Sequence, residues 1–248
     1  MFGIAIADVS LGELFGIVDQ RIESGSPGYI VTPNIDHICV LRQNTLLRRA
    51  YEEAFLALPD GMAVMWAARL LGRPLRQKLS GSDLVPWLAE HASKQGHRVF
   101  FFGAAPGVAE EAARKLEARF PGLEVAGAYS PPLGFEQDPA LNKAAIERVR
   151  KAQPDICFIA LGSPKQEIWM HEHYSALDVP VCLGIGAAID FAAGKVRRAP
   201  VILQRSGLEW LWRLCQEPRR LWRRYLVQDL RFIPIFLREF RKKWLQRV

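Results

Sequence analysis

The sequence predicts an α/β protein, with a mostly parallel sheet, helices on both of its faces, and a helical, basic-amphipathic appendage at the C-terminus. Three observations predict it. Short apolar runs alternate with amphipathic helical patterns from residue 10 to residue 185. Those runs are continuously apolar rather than alternating, as parallel strands covered on both faces are. The charge is also lopsided. Residues 219–248 hold ten Lys or Arg against Asp229 and Glu239, whereas the rest of the chain holds 23 basic and 24 acidic groups.

In chain order, a helix is expected over 10–22, a strand at "GYIVT" (28–32), and a helix over 35–44. A strand at "AFLAL" (54–58) and helices over 61–71 and 83–95 follow. Next come a strand at "RVFFFG" (98–103), a helix over 107–119, a strand at "LEVAGA" (123–128) and a helix over 139–152. The series closes with a strand at "DICFIAL" (155–161), a helix over 164–174 and a strand at "VPVCLGI" (179–185). Polar loops follow nearly every strand: "TPN", "PDG", "GAAPG", "YSPPLG", "GSPKQE" and "GIGAAID". In a parallel sheet these loops share the carboxyl edge, where ligands bind.

With 248 residues, half of them hydrophobic, the chain can bury a substantial core. The expected division is a body over 1–204 and an appendage over 205–248. Of Cys39, Cys157, Cys182 and Cys215, three sit in apolar runs and none belongs to a CxxC pair. They read as core residues of a protein in a reducing cytoplasm. The opening "MFGIAIADVS" has neither the basic nor the long apolar region of a signal peptide. No apolar stretch reaches the roughly 18 residues of a membrane-spanning helix.

Several loops carry chemistry. "GAAPG" (103–107) leads from a strand into a helix N-terminus and suits phosphate, with Gly103 at its start; an ordinary tight turn is the alternative. "GIGAA" (184–188), with Gly186 at its centre, begins like a dinucleotide fingerprint but lacks the third glycine and the downstream acid. In "LGSPKQE", Ser163 suits an N-cap and Pro164 the first helical position. Lys165, Gln166 and Glu167 then fall in the first turn, at the cleft. Glu167 suits the helix dipole, and Lys165 calls for an anionic partner. His171 and His173 are two apart and cannot share a helix face, so no metal is expected there.

Asp60, between Pro59 and Gly61, fits a turn or an N-cap. At a strand's carboxyl end beside an apolar wall it equally fits a general base, since partial desolvation raises a carboxylate's proton affinity. Thr32 and Asn34 end the neighbouring strand, as turn and capping residues or as partners of Asp60. No D-x-D pair occurs, so leaving-group charge would be met by Arg, Lys and helix dipoles. In the tail, Arg213, Arg220 and Arg223 share a face if a helix runs through Pro218, which itself favours a restart. Trp222, Leu226, Leu230, Ile233, Leu237, Phe240 and Trp244 form an apolar stripe flanked by basic residues, which Pro234 should kink. That pattern marks an interfacial helix, with packing on the body or on a second copy as alternatives. The aromatics argue against a nucleic-acid partner.

Together, "TPNIDH", "LPDG", "SGSDL", "FFGA", "SPPLGF", "GSPKQE", "GIGAAIDFAAGKVRRAP" and "GLEWLWRLCQEPRRLWRRY" resemble the WecG/TagA/CpsF glycosyltransferases in composition and order, over roughly residues 3 to 230. The resemblance implies a Rossmann-like catalytic body and a bacterial enzyme that is cytoplasmic and peripheral on the inner face of the cell membrane. It implies inverting, metal-independent and cofactor-free transfer from a UDP-sugar to a polyprenyl-diphosphate-linked saccharide, in surface polysaccharide synthesis. By this resemblance Asp60 matches the catalytic base, Thr32 its neighbour and Asn34 the Asn of a T-x-N motif. Phe135, Gln166 and Asp190 match positions that hold UDP, and Arg213, Arg220 and Arg223 match appendage arginines that meet the diphosphate. Lys78 departs from the pattern, where the family often carries Arg; Lys keeps the charge and loses the bidentate fork. The rival functions are a nucleotide-dependent oxidoreductase, resting on "GIGAA", and a non-catalytic membrane scaffold using the tail.

Overall fold

The computed structural model describes residues 1–245. Arg247, counted above in the basic tail, lies outside them. Helix α1 (Leu11–Ser24) opens on a reciprocal Ser10–Glu13 capping box and stops at left-handed Gly25, so both ends are satisfied locally. Strand β1 (Tyr29–Val31) follows. The helix expected over 35–44 ends early, as α2 (Ile35–Val40), and a second helix that was not expected, α3 (Thr45–Glu52), follows it. Asn44 divides them, because its side chain accepts from the Leu47 amide at 2.9 Å and starts a new helix.

Strand β2 (Leu56–Ala57), α4 (Met62–Leu70) and α5 (Gly81–Gln95) come next. Then follow β3 (Arg98–Gly103), α6 (Val108–Arg119), β4 (Glu124–Tyr129), a 3₁₀ turn at Phe135–Gln137 and α7 (Pro139–Ala152). Strand β5 (Ile156–Ala160), α8 (Lys165–Leu177), β6 (Val181–Gly184) and α9 (Ala188–Ala192) complete the alternation. Four helices follow: α10 (Val201–Arg205), α11 (Glu209–Gln216), α12 (Pro218–Arg223) and α13 (Phe232–Leu245). A π turn (Arg224–Gln228) and a 3₁₀ turn (Asp229–Arg231) join the last two.

The strands form one sheet in the order β2-β1-β6-β5-β3-β4. Every pairing is parallel, so all carboxyl ends lie on one edge. The pleat divides the core in two. Tyr29, Val31, Phe100, Phe102, Cys157, Ile159 and Cys182 pack with α2, α3, α7 and α8 on one face. Ile30, Val99, Phe101, Ile156, Phe158, Val181 and Leu183 pack with α1, α5 and α6 on the other. Phe101 and Phe158, both fully buried, stack at 5.2 Å between centroids. Each such side chain contributes roughly 1.5–3 kcal/mol by leaving water. Cys39, Cys157 and Cys182 are buried and Cys215 is exposed.

The C-terminal helices differ from expectation in one respect. Pro234 does not kink the stripe; it sits in the first turn of α13, where a missing N–H loses no intrahelical bond. The irregularity lies just before it, in the π and 3₁₀ turns. Phe232 and Ile235 anchor α13 in the core, and Phe232 meets Phe2 edge-on at 5.3 Å. All seven stripe residues, Trp222 to Trp244, are exposed rather than packed on the body. The boundary expected after residue 204 falls inside α10. Among the described residues no helix is long and apolar enough to cross a membrane.

Candidate active site

Adjacent strands β2, β1 and β6 bring three loops together at the carboxyl edge. Asn34 caps α2, its Oδ1 accepting from the His37 amide at 3.2 Å. Its Nδ2 donates to Asp60 Oδ2 at 3.3 Å, so the cap also holds a carboxylate from the neighbouring loop. The Asp60 amide donates to the Pro33 carbonyl at 3.1 Å, fastening the loops a second time. Asp60 is half-buried, and it is not the cap of the helix behind it: Gly61 takes that place, with φ 87° and no side-chain cap. Thr32 is buried, its hydroxyl donating to the Gly184 carbonyl at 3.4 Å, which ties β1 to the end of β6.

Helix α8 corrects one expectation. Ser163 is exposed and caps nothing; Pro164 stands at the N-cap and the helix begins at Lys165. The Gly162 carbonyl instead takes the Gln166 amide at 2.8 Å, so backbone supplies the first bond. Lys165 has its anionic partner within the chain, Glu136 at 3.0 Å; burial pushes that carboxyl up, but a backbone hydrogen bond and then Lys165 hold it below the usual range. Gln166 and Glu167 turn inward and are buried. Gln166 Oε1 accepts from the Gly186 amide at 3.0 Å, joining α8 to the loop after β6.

Gly103 has a structural reason to be glycine, since its φ is 103° and a Cβ would lie 2.5 Å from the Ala160 carbonyl oxygen. Phe135 is buried with its ring against Phe102 and Trp169, at 5.7 and 5.9 Å. Gly103, Phe135, Ser163 and Lys165 thus belong to the β5–β3–β4 half of the edge, and Thr32, Asn34, Asp60, Gly186 and Asp190 to the β2–β1–β6 half. Lys78 is committed inside the protein. It pairs with Asp83 at 2.9 Å, and Arg198 meets the other carboxylate oxygen. Burial pushes the Asp83 carboxyl up, but the Ser80 hydroxyl and these two cations hold it below the usual range. Gly81, which opens α5, lies against the Ile185 backbone, placing this cluster beside the β6 loop.

The appendage reaches the same half of the edge. Arg213 stacks over Phe191 at 5.6 Å, and its buried Nε has no hydrogen-bond partner among the described residues. Burial raises the Asp190 carboxyl, with Arg220 and Arg213 opposing and Glu217 adding to the rise. Tyr225 is pushed up by burial, and the charges of Arg213 and Asp60 both act on it. Arg224 pairs with Asp36 at 3.3 Å, seating the arm on α2.

The three matched arginines do not share one helix face. The chain leaves the helical region at Glu217, φ −131° and ψ 58°, because Pro218 must start afresh. Arg220 pairs with Glu217, and Arg223 is exposed over Trp222.

Residues not singled out in the sequence complete the site. His37, on the turn after Asn34, is buried with Nδ1 3.1 Å from the Thr32 carbonyl. Tyr51 packs near it, ring centroids 6.0 Å apart, its phenol driven well up by burial and by Glu167, Asp60 and Asp36. The "TPNIDH" string contained His37, but nothing local pointed to Tyr51. Asp19, His91 and His97 form the group with metal-ligand chemistry among the described residues. His97 directly precedes β3, at the edge opposite the cleft. Asp19 Oδ1 takes both Nε2 atoms, at 2.8 and 2.9 Å, and hydrogen bonding alone satisfies the trio.

Residues 1–246 match the model of the "Glycosyl transferase WecG/TagA/CpsF family". The chain is 35% identical over 205 residues to an N-acetylglucosaminyldiphosphoundecaprenol N-acetyl-beta-D-mannosaminyltransferase of Bacillus spizizenii, covering 83% of this chain and 77% of that protein. A protein of the same name from Bacillus subtilis is 33% identical over 186 residues, 75% of this chain and 70% of its own. One from Staphylococcus aureus is 27% identical over 214 residues, 86% and 80% of the two chains.

Proposed function

The chain belongs to the WecG/TagA/CpsF family of glycosyl transferases, and from that premise we propose that it moves an N-acetylmannosamine-type sugar from a UDP-sugar to a polyprenyl-diphosphate-linked N-acetylglucosamine. The activity for which the relatives are named supports the acceptor class and the transferred sugar. The observation that carries the reading is Asp60, held at the strand-end cleft by Asn34, with Arg213 of the appendage seated over Phe191 on the same half of the edge.

The chemistry follows. The acceptor hydroxyl attacks the anomeric carbon on the face opposite UDP. Its oxygen forms the new glycosidic bond while the bond from the anomeric carbon to the diphosphate oxygen breaks. Asp60 takes the hydroxyl proton, with Oδ2 anchored by Asn34, which leaves Oδ1 for the acceptor. The departing diphosphate gathers negative charge. Arg213, whose buried Nε has no hydrogen-bond partner among the described residues, can meet it, and Arg220 adds charge nearby. Gln166, Gly186 and Asp190 border the nucleotide side. The arm's exposed apolar stripe and flanking cations suit docking on an anionic bilayer surface, the inner face of the cell membrane, where a lipid-linked acceptor lies.

The test offers a panel of UDP-sugars, with a short-chain polyprenyl-diphosphate-N-acetylglucosamine, to the full chain and follows UDP release. Release with UDP-N-acetylmannosamine that requires the acceptor is expected. No acceptor-dependent release with any UDP-sugar would refute the reading.

A further inference from the structure

Behind Asn34 lies a buried relay whose groups exceed what the fold needs. Glu167 is fully buried in the first turn of α8. Its Oε1 accepts from Gln166 Nε2 at 2.7 Å and stands 3.8 Å from His37 Nε2. Its Oε2 is buried with no hydrogen-bond partner among the described residues. A dry, half-satisfied carboxylate is destabilising, and such groups persist where a site uses them.

His37 sits at a choice. Its Nδ1 is 3.1 Å from the Thr32 carbonyl oxygen and 3.3 Å from the Asn34 amide. The first contact needs a proton on Nδ1; the second needs a bare lone pair. A carboxylate facing Nε2 decides the matter by drawing the ring proton to Nε2. With Nδ1 bare, the ring accepts the Asn34 amide, fixing the residue whose side chain holds Asp60. On its far side Glu167 is tied through Gln166 to the Gly186 amide. A continuous line of contacts thus runs from the loop after β6 to Asp60.

We infer that Glu167 and His37 are positioning residues: Glu167 selects the His37 tautomer that orients the Asn34–Asp60 pair, linking the base to the nucleotide-side loop. The inference rests on the reading of Asp60 as base and assigns that site two further residues. Neither touches substrate, so substitution changes turnover more than donor affinity. Tyr51, buried, packs its ring 6.0 Å from that of His37.

The experiment measures kcat, KM for the UDP-sugar and Tm in the full chain on vesicles carrying the acceptor. Glu167→Gln keeps the shape and removes the charge. His37→Gln reaches toward the Nε2 position, whereas His37→Asn places an amide at the Nδ1 position. Glu167→Gln and His37→Gln should lower kcat by about tenfold or more, with KM within about twofold, and His37→Asn should recover most of the loss. A folded Glu167→Gln with kcat within about twofold of the parent would overturn the inference. So would equal losses in His37→Asn and His37→Gln, and that pair is decisive if Glu167→Gln does not fold. A parent without turnover, or an Asp60→Asn variant as active as the parent, would instead overturn the base assignment and the inference with it.

Discussion

Asn34 does two things from one position, and the two separate under mutation. Its Oδ1 caps α2 and its Nδ2 holds Asp60. Asn34→Asp keeps the cap and sets a second carboxylate against Asp60; Asn34→Ala removes both contacts. Asn34→Ala should cost about 1 kcal/mol of stability, read by denaturant unfolding. Both variants should lose roughly tenfold or more in kcat, because both release the carboxylate. Gly103→Ala should act on stability alone, by about 2–3 kcal/mol, since its φ is 103° and the Ala160 carbonyl blocks a Cβ. Equal Tm values for Gly103→Ala and parent would contradict that. The sequence could place Asp60, Asn34 and Thr32 at the strand-end cleft because each lies in the short loop after a strand. Ser163 misled because a hydroxyl before Pro reads as a cap, whereas the chain places Pro164 itself at the N-cap. Tyr51 was illegible, since only the packing of α3 against α8 brings it to His37.

Among the elements, strands were the most legible. All six lie within the expected runs or one residue beyond them, the central ones because a strand buried on both faces must be apolar throughout. Helices failed where a single side chain decides, as Asn44 does in starting α3. The join between α12 and α13 carries a pH dependence. Asp229 is pushed up to about 6 from 3.8 by burial, with Asp36 adding to the rise and Arg224 opposing it. The folded chain therefore holds this proton more tightly than the unfolded one. The stability it lends is complete below pH 3.8 and is lost as pH rises through about 6. Asp229→Asn should remove that decline and stabilise the protein at pH 7.5 by about 1 kcal/mol, discounted for partial exposure. Tm scans of both proteins from pH 5 to 7.5 check it, and parallel curves would refute it.

At the scale of the whole molecule, charge and apolar surface are divided between body and arm. In the proposed mechanism the body supplies the carboxylate and the arm the arginines, while the arm's apolar stripe is exposed. Replacing Leu226, Leu230 and Leu237 together by Gln should leave Tm nearly unchanged and weaken binding to anionic vesicles about tenfold or more. Unchanged vesicle binding, with a change of oligomeric state instead, would assign the stripe to a second copy of the chain. The sequence carried the arm's composition plainly. Pro218 already signalled the break after Glu217, but the sequence could not carry the π turn that follows, where the arm seats on α2 through Arg224 and Asp36.

The most direct measurement compares Asp60→Asn with the parent for UDP-sugar affinity and for UDP release on the lipid-linked acceptor. Donor Kd should stay within about threefold, and turnover should fall by about a hundredfold or more, the scale of a lost general base. Turnover near the parent's would show that another group receives the acceptor's proton.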